Sequence, residues 1–299
     1  MVGDRRAPDI PVGVTGAAAT ITDQERTAVL RHLHSQYEGV FTEEAIRRHL
    51  ETYVGGADAK ILIDDVVARR PDVRQLLDVG SGYGSFVLLA RAHGLDAVGV
   101  ELAAYEVAFA RRRLGRTRPD DDPETVYREG SAVDLPYGDA SFDAVTLWNV
   151  IEHVPDYRRA IAEAARVLRP GGALFVLAPN YASFRREAHY RVPWVPLFPK
   201  RLAAAYLSLI GRDPRFLLEE IHPCTLAGVR SAMRASGIRL RDARQRKIDH
   251  PEAIADGRMR SLTLTAKRLR LLPMLRAMVR LSAANPLRAT IHLEGRKAA

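Results

Sequence analysis

The stretch Gln75 to Phe86, Q-L-L-D-V-G-S-G-Y-G-S-F, restricts the fold more than any other part of the chain. Leu76, Leu77 and Val79 make a short apolar run interrupted by Asp78, and Gly80, Gly82 and Gly84 follow on alternate positions. Ser85 and the apolar residues Phe86 to Ala90 then take on helical character. The pattern predicts a buried strand, a tight turn and the first turn of a helix. Glycine at such a turn accepts positive φ and lets backbone come close to a ligand. The helix N-terminus adds N–H donors and a positive dipole end. The G-x-G-x-G spacing is not the G-x-G-x-x-G of the pyrophosphate-binding fingerprint, and by itself the stretch also fits a turn that binds nothing.

The surrounding chain narrows this. Residues 1–20 lack periodicity and read as a disordered lead-in. Thr22 and Glu25 form a capping-box pattern that opens a helix, Thr42 and Ala45-Ile46-Leu50 suggest a second, and Ala57 to Arg69 a third. These helices, 21–70, precede the first strand and are placed to cover a sheet edge or a ligand mouth. Asp96 to Glu101 reads as a second buried strand ending in an acid, about 20 residues past the glycine loop, where α/β folds set a carboxylate against ribose hydroxyls. Thr125 to Arg128, Phe142 to Trp148 and Ala173 to Leu177 are the next strands. A helix over Asp156 to Leu168 ends in the turn Arg169-Pro170-Gly171-Gly172. Strands alternating with helices predict βαβ units and a mostly parallel, doubly wound sheet of seven strands.

Residues 180–223 break the alternation with prolines and aromatics, among them Tyr190 and Trp194. The segment is too apolar for a linker and reads as a cap inserted between strands 5 and 6; its aromatics suit an acceptor pocket and ordinary core equally. Residues 224–267 complete the sheet, with Ile238 to Lys247 and Ser261 to Lys267 as an antiparallel pair. The tail, 268–299, is basic and in part amphipathic, the pattern of a helix packed on the domain or lying on anionic lipid. With 299 residues, the chain can hold one α/β domain with additions. The single cysteine, Cys224, excludes an intrachain disulfide and a multi-cysteine zinc site. The net charge of +9 favours acidic partners, but no aromatic-interleaved basic motif points to nucleic acid. No apolar run reaches the ~20 residues of a membrane span, and the N-terminus has no signal-like core, so a cytoplasmic protein is expected, touching a membrane only through its tail.

Five segments in order, L-L-D-V-G-S-G-Y-G, V-G-V-E, G-S-A-V-D-L-P-Y-G-D-A-S-F-D, W-N-V-I-E-H-V-P-D and V-L-R-P-G-G, resemble those of class I S-adenosylmethionine-dependent methyltransferases with a Rossmann-like fold. The resemblance is closest to the small-molecule, ubiquinone-type (type 11) branch and covers Val73 to Asn180. It implies that Asp78, Gly80 and Gly82 border the methionine part of S-adenosylmethionine and that Glu101 holds the ribose. It further implies that Ser131 and Ala132 bracket adenine and that Asn149 faces the methyl end. Ser131 stands where family members often carry an acid.

The chemistry implied is methyl transfer to a small-molecule, sugar or lipid-linked acceptor, at oxygen, with transfer to nitrogen or carbon as the alternative. A sulfonium methyl is already activated, so alignment is the main task and no metal is required. A hydroxyl nucleophile must lose its proton, and His153, just past the fourth strand, is the first candidate base; packing or capping the next helix is its alternative role. His189 and His222, which flank the cap, are further candidates. A catalytically silent cofactor-binding module fits the same motifs. No motif speaks to oligomeric state.

Overall fold

The computed structural model describes residues 21–183, 185–241, 257–277 and 290–298. Before the sheet come α1 (Asp23–Tyr37), α2 (Glu43–His49), which runs into one π-helical turn at Leu50–Val54, and α3 (Ala57–Arg69). The capping box is formed: Thr22 accepts from the Glu25 N–H at 3.1 Å, and the Glu25 carboxylate accepts from the Thr22 N–H at 2.7 Å. Two orphan donors at the helix start are thereby satisfied.

The sheet contains β1 (Gln75–Val79), β2 (Asp96–Glu101), β3 (Tyr127–Glu129), β4 (Phe142–Trp148) and β5 (Leu168–Pro179). Helices α4 (Ser85–Ala92), α5 (Ala104–Thr117), the single turn α6 (Pro123–Val126) and α7 (Tyr157–Val167) connect them. The cap holds a two-residue hairpin, β6 (Arg185–Arg186) with β7 (Pro193–Trp194), followed by α8 (Lys200–Leu209) and α9 (Arg215–Glu219). Then come α10 (Leu226–Ala235), β8 (Ile238–Arg241), a helix Gly257–Arg268 and β9 (Thr290–Lys297). The seven-stranded order is β3-β2-β1-β4-β5-β9-β8, with β9 antiparallel to β5 and to β8 and all other pairs parallel. The expected doubly wound, mostly parallel architecture is therefore present.

Alternate β1 side chains serve opposite faces. Leu77 and Val79 join Ile161, Ala164 and Val229 in one buried cluster, whereas Leu76 joins Ile63, Val87 and Leu88 in the other. Burial on both faces explains the near-continuous apolar runs of the central strands. The direction of strand progression reverses between β1 and β4, so the connections leaving their carboxyl ends diverge and open a crevice.

Three expectations are corrected. Ser261 to Lys267 is helical, not a strand. Its alternation of Thr and Leu is local, whereas the slot between β5 and β8 is filled by Thr290 to Lys297, seven of whose residues pair with β5. That strand buries Ile291, Leu293 and Glu294, while Leu262 and Leu264 stay exposed. Consequently residues 290–297 belong to the sheet, not to a separate tail that begins at 268. The Arg169–Gly172 turn is also absorbed into β5, where Leu168 faces Phe142 and Ala173 faces Ala144, a bulge that Gly171 enters at φ 76°. Residues 1–20 and 278–289, and most of the expected strand over 238–247, lie outside the described residues. No helix among the described residues is long and apolar enough to cross a membrane.

Candidate active site

A cavity of about 590 Å³ opens at the carboxyl ends of β1, β2 and β4. Asp78, Gly80, Gly82, Glu101, Ser131, Ala132, Asn149 and His153, the residues expected at the cofactor and the first candidate base, lie on its wall. The size falls in the range of small-molecule and cofactor sites.

The glycine loop is held by β2: the N–H groups of Gly80 and Ser81 both donate to the Val100 carbonyl, at 2.8 and 3.0 Å. Gly80 has φ 74°, and a Cβ there would stand 2.3 Å from Val150 Cγ2. A side chain there would therefore fill the space between the β1 and β4 loops or force them apart. Glu101 ties the next turn together. Its Oε2 accepts from Gly82 N–H at 3.0 Å, and its Oε1 accepts from Leu102 and Ala103 N–H at 2.7 and 3.0 Å. A carboxylate has about four lone-pair positions, so after these three bonds capacity remains on the cavity side for a sugar hydroxyl.

Three of the wall's acids gather at this end. Asp78 is 3% exposed, with the Thr146 hydroxyl 2.6 Å from its Oδ1. Burial, with the nearby Glu101 charge, pushes its carboxyl up to about 8 despite that hydrogen bond. Glu106, also on the wall, is raised by burial and by Glu101. These three acids make one end of the cavity a place for positive charge.

Aromatic rings and two histidines make up much of the rest of the wall, together with Asp58, Glu152 and Glu220. Asn149, in the left-handed region at φ 55°, donates its N–H to Leu177 O at 2.8 Å and turns the chain out of β4 into the 3₁₀ turn Ile151–His153. An asparagine tolerates this conformation better than most residues. His153 Nδ1 lies 3.0 Å from the Glu220 carbonyl. A carbonyl only accepts, so Nδ1 carries the proton and Nε2 the lone pair. Burial, reinforced by His189, pushes His153 down to about 4, so it is neutral at neutral pH. His189 stands with its ring centroid 5.1 Å from that of His153. Its Nδ1 is 3.1 Å from Oε1 of Glu187, a carboxylate 1% exposed that also accepts from Tyr181 OH at 2.9 Å, His189 N–H at 2.6 Å and Tyr190 N–H at 2.7 Å. Glu187 therefore fixes the His189 tautomer, again with Nε2 as the basic nitrogen.

The N-terminal helices and the cap close this end: Tyr37, Phe41, His49 and Tyr53 from the first, and His189 and Phe216 from the second, all reach the wall. Tyr190 and Trp194 do not. They are buried with Val40, Tyr181 and Leu207 in a cluster shared by the cap and the α1–α2 link, where Tyr190 OH donates to Asp213 O at 2.8 Å. His222 is not on the wall either; its N–H donates to Glu152 O at 2.6 Å. Cys224 is a packed thiol, 1% exposed. One functional group escaped the sequence reading: Glu187, two residues before His189, whose Glu-x-His spacing at the hairpin turn was the available signal. Glu152, His153 and His189 also bring a carboxylate oxygen and two ring nitrogens within 4.8 Å of one another, donor types that serve a divalent cation as well as proton transfer.

Residues 77–176 match the methyltransferase domain family. The chain is 35% identical over 177 residues to a demethylmenaquinone methyltransferase of Deinococcus radiodurans, an alignment covering 56% of this chain and 69% of that one. It is 33% identical over 177 residues to the 27-O-demethylrifamycin SV methyltransferase of Amycolatopsis mediterranei, covering 58% of this chain and 60% of the relative. The match thus spans less than two thirds of the rifamycin enzyme's length. Among solved structures, the cyclase SpnF is similar in fold, with a TM-score of 0.50 at 21% identity over 94% of this chain and 97% of that one.

Proposed function

We propose a methyl-transfer function on one premise: this chain belongs to the class I S-adenosylmethionine-dependent methyltransferases. The reading is transfer from S-adenosylmethionine to oxygen of a small-molecule acceptor. The observation that carries it is one cavity that joins the glycine loop and Glu101 to two tautomer-fixed histidines.

The residues present fit the cofactor. The side-chain-free approach at Gly80 admits it, Glu101 is placed to hold its ribose, and Ser131 and Ala132 line the wall where adenine would lie. Asp78 and Glu106 balance positive charge on its methionine portion, beside Gly80 and Gly82. When bound, S-adenosylmethionine supplies an electrophilic methyl group on a sulfonium. The chain's contribution is then mostly alignment, with closure by Tyr37, Phe41 and Phe216 excluding water. Neutral His153 accepts a hydrogen bond from the acceptor hydroxyl at Nε2. Its depressed basicity makes it a poor place to leave a proton, whereas the buried Glu187 carboxylate stabilises positive charge on His189. The pair therefore divides the work, His153 orienting the hydroxyl and His189 receiving its proton at Nε2.

Support for a lipid-linked acceptor comes from Leu269, Leu271 and Met274, which stand exposed on the basic tail. The test is incubation of an extract's metabolites with the protein and methyl-labelled cofactor, followed by a search for species that gain one methyl. A labelled methoxy group is the expected product. Cofactor binding without label transfer would leave a silent binding module, and label on nitrogen or carbon would replace the oxygen assignment. Loss of transfer in EDTA that a divalent ion restores would reassign Glu152, His153 and His189 to a metal.

A further inference from the structure

Beside the main cavity lies a second one of about 220 Å³, and Phe41 and His189 belong to the walls of both. Those two rings are thus the partition between the acceptor end and an annex. The annex is lined by four arginines from three separate elements: Arg48 from α2, Arg186 and Arg191 from the β6–β7 hairpin, and Arg212 from the α8–α9 turn. One acid, Glu44, faces them, and it is paired with Arg48. Arg48 Nη1 is buried and has no hydrogen-bond partner among the described residues. Neither Arg191 nor Arg212 enters an ion pair among the described residues.

Gathering guanidinium groups in a small concavity costs like-charge repulsion, and among the described residues Glu44 is the one carboxylate on its wall, with Glu187 behind it bonded to His189 and Tyr190. Guanidinium forks match the spacing of phosphate and carboxylate oxygens and bind them with paired, charge-assisted hydrogen bonds. With Arg48 set against Glu44, Arg191 and Arg212 still stand without an ion pair among the described residues, and two guanidinium groups favour a dianionic group over a single carboxylate. The folding supports the same purpose: Arg186 Nε donates to Arg191 O at 3.0 Å, and Arg191 N–H donates to Glu187 O at 3.0 Å. The hairpin that presents two of the arginines is therefore the same one that carries Glu187 and His189.

We infer that the annex binds a phosphate group carried by the acceptor, so that the methyl-accepting hydroxyl reaches His153 and His189 while the phosphate lies behind Phe41. The inference rests on the methyl-transfer reading for the identity of the hydroxyl, but the anion site stands on its own geometry. An acceptor of this class is a phosphate ester with a free hydroxyl, which means the reaction must follow a phosphoryl- or phosphoester-forming step.

The probe is inorganic pyrophosphate, titrated calorimetrically into the full-length protein saturated with S-adenosylhomocysteine. Saturable binding is expected, weakened about tenfold or more in Arg212→Gln and again in the Arg191→Gln, Arg212→Gln pair. Arg201→Gln, which removes the same charge from an exposed position on α8 that does not line the annex, should leave it unchanged. Affinity for S-adenosylhomocysteine in each variant reports folding. No saturable binding by the wild type, or binding that the Arg212 and Arg191 changes leave intact, overturns the inference. Failure of the wild type to bind S-adenosylhomocysteine would instead overturn the methyl-transfer reading. Retained pyrophosphate binding without phosphate-dependent methyl transfer, tested by treating the extract with phosphatase beforehand, would refute the annex as an acceptor subsite.

Discussion

Cofactor binding should release a proton from Asp78, and the size of the effect follows from its surroundings. With its carboxyl pushed up to about 8 by burial and by Glu101, the ratio of protonated to ionised Asp78 is about 100 at pH 6 and about 10 at pH 7. A cationic ligand at the glycine loop favours the ionised form. Its affinity should therefore rise about ninefold, from (1 + 100)/(1 + 10), between pH 6 and pH 7. His49 and His153, both pushed down to about 4, are silent in this window, and it lies below the titration of the cofactor's own α-amino group near ~8. Glu106, raised by burial and by Glu101, adds to the same slope. The sign for stability is opposite. The native state keeps Asp78 protonated where the unfolded chain, near the ordinary 3.8, has ionised it, so the cofactor-free protein loses stability as pH rises from about 4 toward about 8. Calorimetry of S-adenosylmethionine binding at pH 6 and pH 7, in two buffers of different ionisation enthalpy, counts the protons directly. Asp78→Asn, which retains an acceptor for the Thr146 hydroxyl, should remove most of the slope and close to one released proton at pH 7. A wild-type affinity that is flat over this range, or a slope that survives in Asp78→Asn, would refute the reasoning.

Two further outcomes test the loop and the histidine pair. Gly80→Ala combines a left-handed backbone at φ 74° with a Cβ 2.3 Å from Val150 Cγ2, and should destabilise the protein by about 2–5 kcal/mol in chemical denaturation. Adding Val150→Ala should recover part of this loss; an unchanged midpoint in the single variant would mean the two loops are not in contact. Glu187→Gln keeps the side chain's volume but halves its capacity to accept from Tyr181, His189 and Tyr190. It should lower kcat about tenfold or more while leaving the KM for cofactor in place, and an unchanged kcat would remove His189 as the proton acceptor.

Legibility in the sequence followed the distance over which each feature is determined. The β1–loop–α4 unit and the capping box at Thr22 and Glu25 are short-range patterns, and both formed where expected. The placement of Asp78, Gly80, Gly82, Glu101, Ser131, Ala132, Asn149 and His153 on one wall follows from parallel strands that share a carboxyl edge. Ser261 to Lys267 misled because alternation marks a strand only if a neighbour waits for it, and the vacancy beside β5 went to residues 290–297. Tyr190 and Trp194 illustrate the limit for aromatics: composition marks them as apolar, but only the packing of the cap separates core rings from Phe216, which faces the cavity. The annex was least legible, because Arg48 lies more than 130 positions before Arg186 and nothing local connects them.

The two ends of the cavity differ in how they are built, and that difference bears on specificity. The cofactor end comes from loops that leave β1, β2 and β4, where backbone N–H groups and Glu101 fix one another. The acceptor end is closed by the α1–α2 region and the cap, which meet ring on ring: the Tyr37 and Phe216 rings are 5.6 Å apart edge to face, and Phe41 and Tyr190 are 5.8 Å apart. Rings packed on rings can be exchanged without disturbing the sheet, so changes in acceptor should be accommodated there while the cofactor end stays the same. Charge imposes a direction on what enters. Asp78, Glu101 and Glu106 favour a cation at one end, and Arg48, Arg191 and Arg212 favour an anion beyond the other. A cationic methyl donor and an anionic acceptor would each be repelled from the other's place, leaving the hydroxyl between them, against His153 and His189, as the group held nearest the methyl.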